Sequence, residues 1–154
     1  NVDTYPDMVK KVRDEGHEIA NHSYTHPVLG KMTEDKVRAE ISHCQESIEK
    51  ASGVKAVWFR PPYGSFLSKQ HKMASDYGLN VVLWNIDPFD WKKPGPPIVA
   101  QRVLSQSNPG SIILLHDIHK QTTEAVPTIL DGLLERDFTF TTMSGFLGDP
   151  VALD

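Results

Sequence analysis

The chain has 154 residues, of which 39% are hydrophobic and 23% charged, a balance typical of one globular domain with its own core. The net charge of −4 gives no indication of the basic surface typical of nucleic-acid binding, and no apolar run approaches the ~18 residues of a membrane-spanning helix. The single cysteine, Cys44, excludes an internal disulfide and a cysteine-rich zinc site.

Helical and strand patterns alternate from the start of the chain. Pro6 suits the first turn of a helix, and "HEIAN" at residues 17–21 then predicts a short strand. Thr33 suits the N-cap of a second helix, whose apolar residues recur every three or four positions until Gly53 ends it. The stretch "AVWF" at residues 56–59 is the next predicted strand.

The same alternation continues to the end of the chain. Helices are predicted at residues 68–77, at residues 97–107 and from Thr123 on, and strands at "NVVLW" (80–84), "SIILLH" (111–116) and "FTFTT" (138–142). The continuous apolar run of "SIILLH" predicts burial on both faces. Strands that alternate with helices predict an α/β fold with a parallel sheet or barrel.

Polar and aromatic clusters directly follow four of the predicted strands. They read "NHSYTHP", "RPPYG", "DPFDWKKPG" and "HDIHKQ". In parallel α/β folds the chemistry collects in the loops after the carboxyl ends of the strands. Stability alone does not explain four such loops in succession, so they predict a functional site.

The first cluster contains His22 and His26, followed by Pro27. Two histidines with a carboxylate and an open water position make a catalytic zinc site. The alternative is that both are polar loop residues making ordinary hydrogen bonds. In the second cluster, Arg60 could orient a carboxylate, and the rigid turn could present a backbone N–H to an oxyanion. Arg60 could equally be a structural residue that binds strand carbonyls.

The third and fourth clusters contain carboxylates, aromatic rings and a histidine. Asp87 or Asp90 could hold a histidine in one tautomer, and Trp91 suits the face of a sugar. The alternative is a solvated turn aspartate beside a core tryptophan. His116, at a strand end, is a candidate general acid or else a buried histidine of the core. No partner pattern surrounds the other four histidines, although one of them stands close to His116 in the chain: His17, His43, His71 and His119.

Together the four stretches resemble, in order, the motifs of the polysaccharide deacetylases of carbohydrate esterase family four, the NodB-homology domain. The resemblance runs from about Tyr5 to Leu147. It implies a distorted (β/α) barrel with fewer than eight strands, and one domain over residues 1–154.

The resemblance also implies roles for the residues. His22 and His26 would bind a divalent metal, usually zinc and sometimes cobalt or nickel. Arg60 would hold the catalytic base in place, and the backbone N–H of Tyr63 would help to bind the oxyanion.

The remaining roles concern the leaving group. Asp90 would keep His116 protonated, and His116 would donate a proton to the departing amine. Trp91 and Leu114 would line the pocket for the acetyl methyl group.

In one respect the chain departs from the family pattern. The family's first motif carries two consecutive aspartates, the base and the third metal ligand, and this sequence contains no Asp-Asp pair. We therefore expect that the first strands of the barrel are missing from this chain, and that an absent N-terminal segment is the partner that supplies both carboxylates. The fragment alone is then expected to bind the metal weakly and to be inactive.

The implied activity is metal-dependent removal of acetyl groups from N-acetylated polysaccharide, such as chitin, chitooligosaccharide or peptidoglycan, with release of acetate. The alternatives are an acetylxylan esterase, a non-catalytic carbohydrate-binding homologue, and a structural domain with incidental histidines. Because such polymers lie outside the cytoplasm, we expect a secreted or cell-surface protein.

Overall fold

The computed structural model describes residues 1–148 as a mixed helix–sheet fold. Its elements, in chain order, are α1 (Pro6–Asp14), α2 (Glu34–Ser52), β1 (Trp58–Phe59), α3 (Ser68–Ser75), β2 (Asn80–Val81), α4 (Pro96–Gln106), α5 (Lys120–Leu134) and α6 (Met143–Leu147). Single 3-10 turns occur at Leu29–Lys31, Pro62–Gly64 and Asp90–Lys92. None of these helices is both long enough and apolar enough to cross a bilayer. The described residues divide into two compact units, residues 1–83 with residues 142–148, and Trp84–Thr141.

A small parallel sheet organises the first unit. In the register of β1 and β2, Trp58 pairs with Asn80 and Phe59 pairs with Val81. Asn21 adds an isolated parallel bridge to Phe59. The "AVWF" and "NVVLW" strands are therefore present but shorter than predicted, and "HEIAN" contributes only its last residue to the ladder.

The apolar face of α2 forms the core of the first unit. Val37, Ile41, Cys44 and Ile48 are buried in one cluster with Phe59 of β1. The spacing that predicted this face is thus confirmed. The helix ends as predicted at its C-terminal glycine, which takes the left-handed φ of 74° that glycine tolerates best.

The second unit has a separate core between α4 and α5. The core consists of Val99, Ala100, Val103, Ala125, Ile129 and Leu133. The "SIILLH" segment forms only one bridge, the parallel pair Ile113 to Ile86. The prediction that this segment is buried on both faces is wrong, because only Leu114 of its six residues is buried. A segment that pairs with its neighbour through a single residue is not covered on both faces, as a central strand of a parallel sheet is.

The prediction of a strand at residues 138–142 is also wrong. Phe138 packs against the core of the second unit, whereas Phe140 is half-exposed. Thr142 is instead the N-cap of α6, since its side-chain oxygen accepts a hydrogen bond from the Gly145 N–H over 3.1 Å. The last residue of this stretch thus begins a helix instead of ending a strand.

Candidate functional site

The loop that carries His22 and His26 begins at a fully buried residue, Asn21. The Asn21 amide donates to the Ile41 carbonyl of α2 over 3.0 Å, and its oxygen accepts from the Ser23 N–H over 3.0 Å. All hydrogen-bonding groups of this buried amide face fixed partners, so Asn21 sets the direction in which the loop leaves the sheet.

A second residue of α2, Glu40, binds the tip of the same loop. Its carboxylate accepts from the N–H groups of Tyr24 and Thr25 over 2.9 and 2.7 Å, and from the Thr25 hydroxyl over 2.6 Å. Ser23 and His26 have left-handed φ values of 66° and 60°, a conformation that costs about 1–3 kcal/mol at such residues. The bonds to Glu40 hold the loop in this strained shape.

The two imidazoles of the loop lie side by side, with ring centroids 5.0 Å apart and planes at 73°. The Nδ1–H of His22 donates to the Arg60 carbonyl, which places the lone pair of that ring on Nε2. Metal-ligating histidines are usually oriented in this way, by a hydrogen bond from the other ring nitrogen to a carbonyl. The donor set therefore fits a divalent metal, although residues 1–148 contain no group of three potential ligands.

A cavity of about 640 Å³ in the first unit opens beside these histidines. Its lining includes apolar side chains of α1 and α2, such as Val9 and Ile48, and residues of the segments 1–4 and 18–26, among them His22, His26 and the carboxylates of Asp3 and Glu18. Such a concave, apolar site with a few polar groups is typical of a small-ligand pocket.

Arg60 and Tyr63 belong to the loop after β1. The Arg60 N–H donates to the Asn21 carbonyl over 2.9 Å, and burial lowers the pKa of its guanidinium. Tyr63 has a left-handed φ of 58° inside its 3-10 turn, and its exposed ring meets the His26 ring with centroids 4.8 Å apart. The base-orienting and oxyanion-binding roles of these two residues stay predictions.

In the second unit, the buried carboxylate of Asp90 accepts four hydrogen bonds. One oxygen accepts from His116 Nδ1 over 2.8 Å and from the Trp91 N–H over 2.9 Å. The other accepts from the His116 N–H over 2.7 Å and from the Thr122 hydroxyl over 2.9 Å. Because Asp90 has no exposed surface, the alternative of a solvated turn aspartate does not apply.

These bonds decide the charge of Asp90. Burial acts to raise the pKa of the carboxyl, but the hydrogen bonds from His116 and Thr122 outweigh burial, and the net pKa lies below its ordinary value. Asp90 is therefore a carboxylate at neutral pH, placed to stabilise a positive charge on the His116 ring, which is 28% exposed. This arrangement suits a histidine that donates a proton.

Three polar residues that the sequence did not single out position these groups. Glu40 and Thr122 act as described above, and the Gln121 amide donates to the Asp90 backbone carbonyl over 2.9 Å. Gln121 also accepts from the Gly95 N–H over 2.9 Å. Glu40 and Thr122 lie outside the four clusters, and Gln121 only ends the fourth. Each of the three acts on a partner 15 or more residues away, so no local signal identifies its role.

The tryptophan of the third cluster is not part of the core. Trp91 is 47% exposed, and its indole meets the Phe89 ring edge to face. Leu114 is buried, and its N–H donates to the Ile86 carbonyl over 2.9 Å. The eight predicted site residues thus fall into two groups, one in each unit: His22, His26, Arg60 and Tyr63 in the first, and Asp90, Trp91, Leu114 and His116 in the second.

Comparison with known proteins identifies the family of the chain. The family model for polysaccharide deacetylases matches residues 1–82, more than half of the chain. The chain belongs to the polysaccharide deacetylase family. Among curated members, it is 35% identical over 147 residues to a peptidoglycan-N-acetylglucosamine deacetylase of Bacillus cereus, covering 93% of this chain and 54% of that protein. It is 32% identical to a chitooligosaccharide deacetylase of Rhizobium leguminosarum, covering 93% and 73% respectively.

A solved structure of this family resembles the fold closely. A CE4 family pseudoenzyme from Bacillus anthracis matches with a TM-score of 0.90 and 34% identity, over 95% of this chain and 52% of that chain. The chain spans 44% and 54% of two curated Bacillus relatives and 30% of a third.

Proposed function

We propose that this family member removes acetyl groups from N-acetylated polysaccharide by metal-dependent hydrolysis, within a (β/α) barrel of the deacetylase type. The observation that carries the proposal is the buried Asp90 carboxylate bonded to Nδ1 of His116 over 2.8 Å. A histidine polarised in this way is suited to protonate a leaving nitrogen. Membership of the family adds support, since two members of similar sequence are named peptidoglycan and chitooligosaccharide deacetylases.

His22 and His26 would hold the metal, with zinc as the proposed ion and cobalt or nickel as alternatives. When bound, such an ion supplies Lewis-acid activation of water and of the acetyl carbonyl. The pair offers only two ligands, so we propose that a segment with two carboxylates supplies a third ligand and the general base. Arg60 would orient that base.

The residues of the second unit would act on the leaving group. As the bond between the carbonyl carbon and the nitrogen breaks, His116 gives its proton to the nitrogen, and a free amine and acetate are released. Asp90 stabilises the imidazolium before this transfer. Trp91 and Leu114 would contact the acetyl methyl group, and the Tyr63 N–H would donate to the oxyanion.

The first experiment measures metal content and acetate release together in the purified protein, supplemented with a synthetic segment that carries the two carboxylates. Replacing His22 and His26 with alanine should remove both zinc and activity. His116→Ala should keep the zinc and lower turnover by roughly 100-fold or more. The double change of His43 and His71 to alanine is the matched control, since both side chains are exposed and neither has a predicted role.

Loss of zinc from His116→Ala, or retention of zinc without both loop histidines, would contradict the proposed roles. Chitooligosaccharide, peptidoglycan and acetylated xylan serve as substrates, because acetate release from xylan alone would favour the acetylxylan esterase. Addition of a synthetic segment that carries the two carboxylates should raise zinc affinity if a separate segment completes the site.

A second candidate is a non-catalytic carbohydrate-binding protein. Two observations favour it: residues 1–148 contain no group of three metal ligands, and a structural relative is described as a pseudoenzyme. Binding of oligosaccharide without zinc and without acetate release, with or without the added segment, would select this candidate.

We also propose that the protein is secreted or attached to the cell surface, because the polymers proposed as substrates lie outside the cytoplasm. Fractionation of cells followed by immunodetection tests this, and confinement of the protein to the cytoplasm would contradict it.

A further inference from the structure

An aromatic and cationic group lies next to Asp90 on the surface of the second unit. Phe89 and Trp91 are 42% and 47% exposed, and their ring centroids are 6.1 Å apart. The ammonium of Lys92 stands 4.7 Å from the Phe89 centroid and 5.0 Å from the Trp91 centroid. Two rings thus fix the position of one cation, although all three side chains are in contact with solvent.

The backbone on either side of this group is strained. Phe89 and Lys93 have left-handed φ values of 55° and 54°, which bulky residues rarely adopt. The conformation is held by the Asp87 carboxylate, which accepts from the Phe89 N–H over 2.8 Å, and by Arg102, which donates to the Pro88 carbonyl over 2.9 Å. Strain that is maintained by surrounding bonds is typical of sites that bind a ligand.

Within residues 1–148, no carboxylate pairs with the ammonium of Lys92. Asp90 is buried and accepts its four hydrogen bonds elsewhere, while Asp87 accepts from the backbone of Phe89. Within residues 1–148, Lys92 contacts the two rings and forms no ion pair. A cation that is ordered in this way complements an external anion.

We propose that Phe89 and Lys92 form a subsite for a sugar unit that carries a carboxylate, adjacent to the acetylated unit. The Phe89 ring contacts the apolar C–H face of the sugar, and the Lys92 ammonium pairs with the carboxylate. A neutral sugar would keep the first contact and lose the second, so the protein prefers acidic glycans. The proposal rests on the proposed function, because it requires that a glycan approaches His116.

Isothermal titration of the purified protein with two oligosaccharides of equal length tests this preference. One is a neutral chitooligosaccharide, and the other alternates N-acetylglucosamine with N-acetylmuramic acid, which bears a carboxylate. The acidic compound should bind roughly fivefold more tightly at low salt, a preference that fades as ionic strength rises. Lys92→Gln should abolish the preference, and Lys92→Arg should retain most of it.

Lys93→Gln is the matched control, because it removes the same charge one residue away and should leave the preference intact. The proposal is overturned if Lys92→Gln keeps the preference, or if Lys93→Gln loses it equally. Binding of the neutral glycan without any preference contradicts the subsite alone. Failure of both glycans to bind, with no acetate release from either, contradicts the proposed function as well.

Discussion

At the scale of single residues, one buried carboxylate organises the polar chemistry of the second unit. The Asp90 oxygens accept from His116, Trp91 and Thr122, and the carboxyl has a pKa below its ordinary value of 3.8. A group whose folded pKa is lowered stabilises the fold fully above its ordinary pKa, and loses this contribution as the pH falls toward the folded value. The ionised Asp90 carboxylate therefore makes the stability of the fold decrease at acidic pH.

Asp90→Asn should lower the free energy of unfolding by about 2 kcal/mol at neutral pH, because bonds to a charged acceptor are lost. The difference from the unchanged protein should shrink as the pH falls below 3.8, the ordinary value for this carboxyl. Urea unfolding at pH ~7 and pH ~3 measures both quantities.

The control is Asp131→Asn, at an exposed position of α5. This change should alter the free energy of unfolding by no more than about 0.5 kcal/mol. A stability gap for the Asp90 variant that is the same at both pH values would mean that this carboxyl does not carry the pH dependence.

At the scale of elements, α2 both builds a core and holds a loop. One face packs Val37 and Ile41 into the first unit, and another presents Glu40 to the N–H groups of Tyr24 and Thr25. Because the loop is anchored to a rigid helix, the relative position of its two imidazoles depends on a residue that need not touch a ligand.

Glu40→Ala should therefore weaken zinc binding roughly tenfold, as expected when the group that orients a ligand is lost. Equilibrium dialysis against zinc measures the affinity, and urea unfolding shows that the helix remains folded. Glu46→Ala, at an exposed position of the same helix, should leave affinity unchanged. Equal affinity in both variants would show that Glu40 does not position the histidines.

At the scale of the whole molecule, the two units have cores that share no residue. Ile41 is buried in the first core and Ile129 in the second. Local unfolding commonly follows such packing units, so each core should protect its own backbone amides.

Ile41→Ala should destabilise the protein by about 2–5 kcal/mol and speed amide hydrogen exchange mainly in the first unit. Ile129→Ala should cost a similar amount and act mainly on Trp84–Thr141. Amide hydrogen exchange measured by mass spectrometry shows which segments exchange faster in each variant. Uniform acceleration along the chain in either variant would show that the units unfold as one.

The helices of this protein were predictable because their signals are local. The spacing of Val37, Ile41 and Ile48 identified a helix and its buried face, and Gly53 marked its end. The site loops were predictable for the same reason, since histidines, prolines and aspartates cluster within a few residues after each strand segment.

The sequence by itself thus determined the α/β pattern, the helix faces and the motifs that indicate the family. Only the tertiary structure decided that Ile113 alone in its segment pairs with a neighbouring strand residue, Ile86. It also decided that Thr142 caps a helix and that the Thr122 hydroxyl donates to Asp90. Periodicity and capping act within a few residues. Strand pairing and the burial of a carboxylate instead depend on partners that reach each other only when the chain is folded.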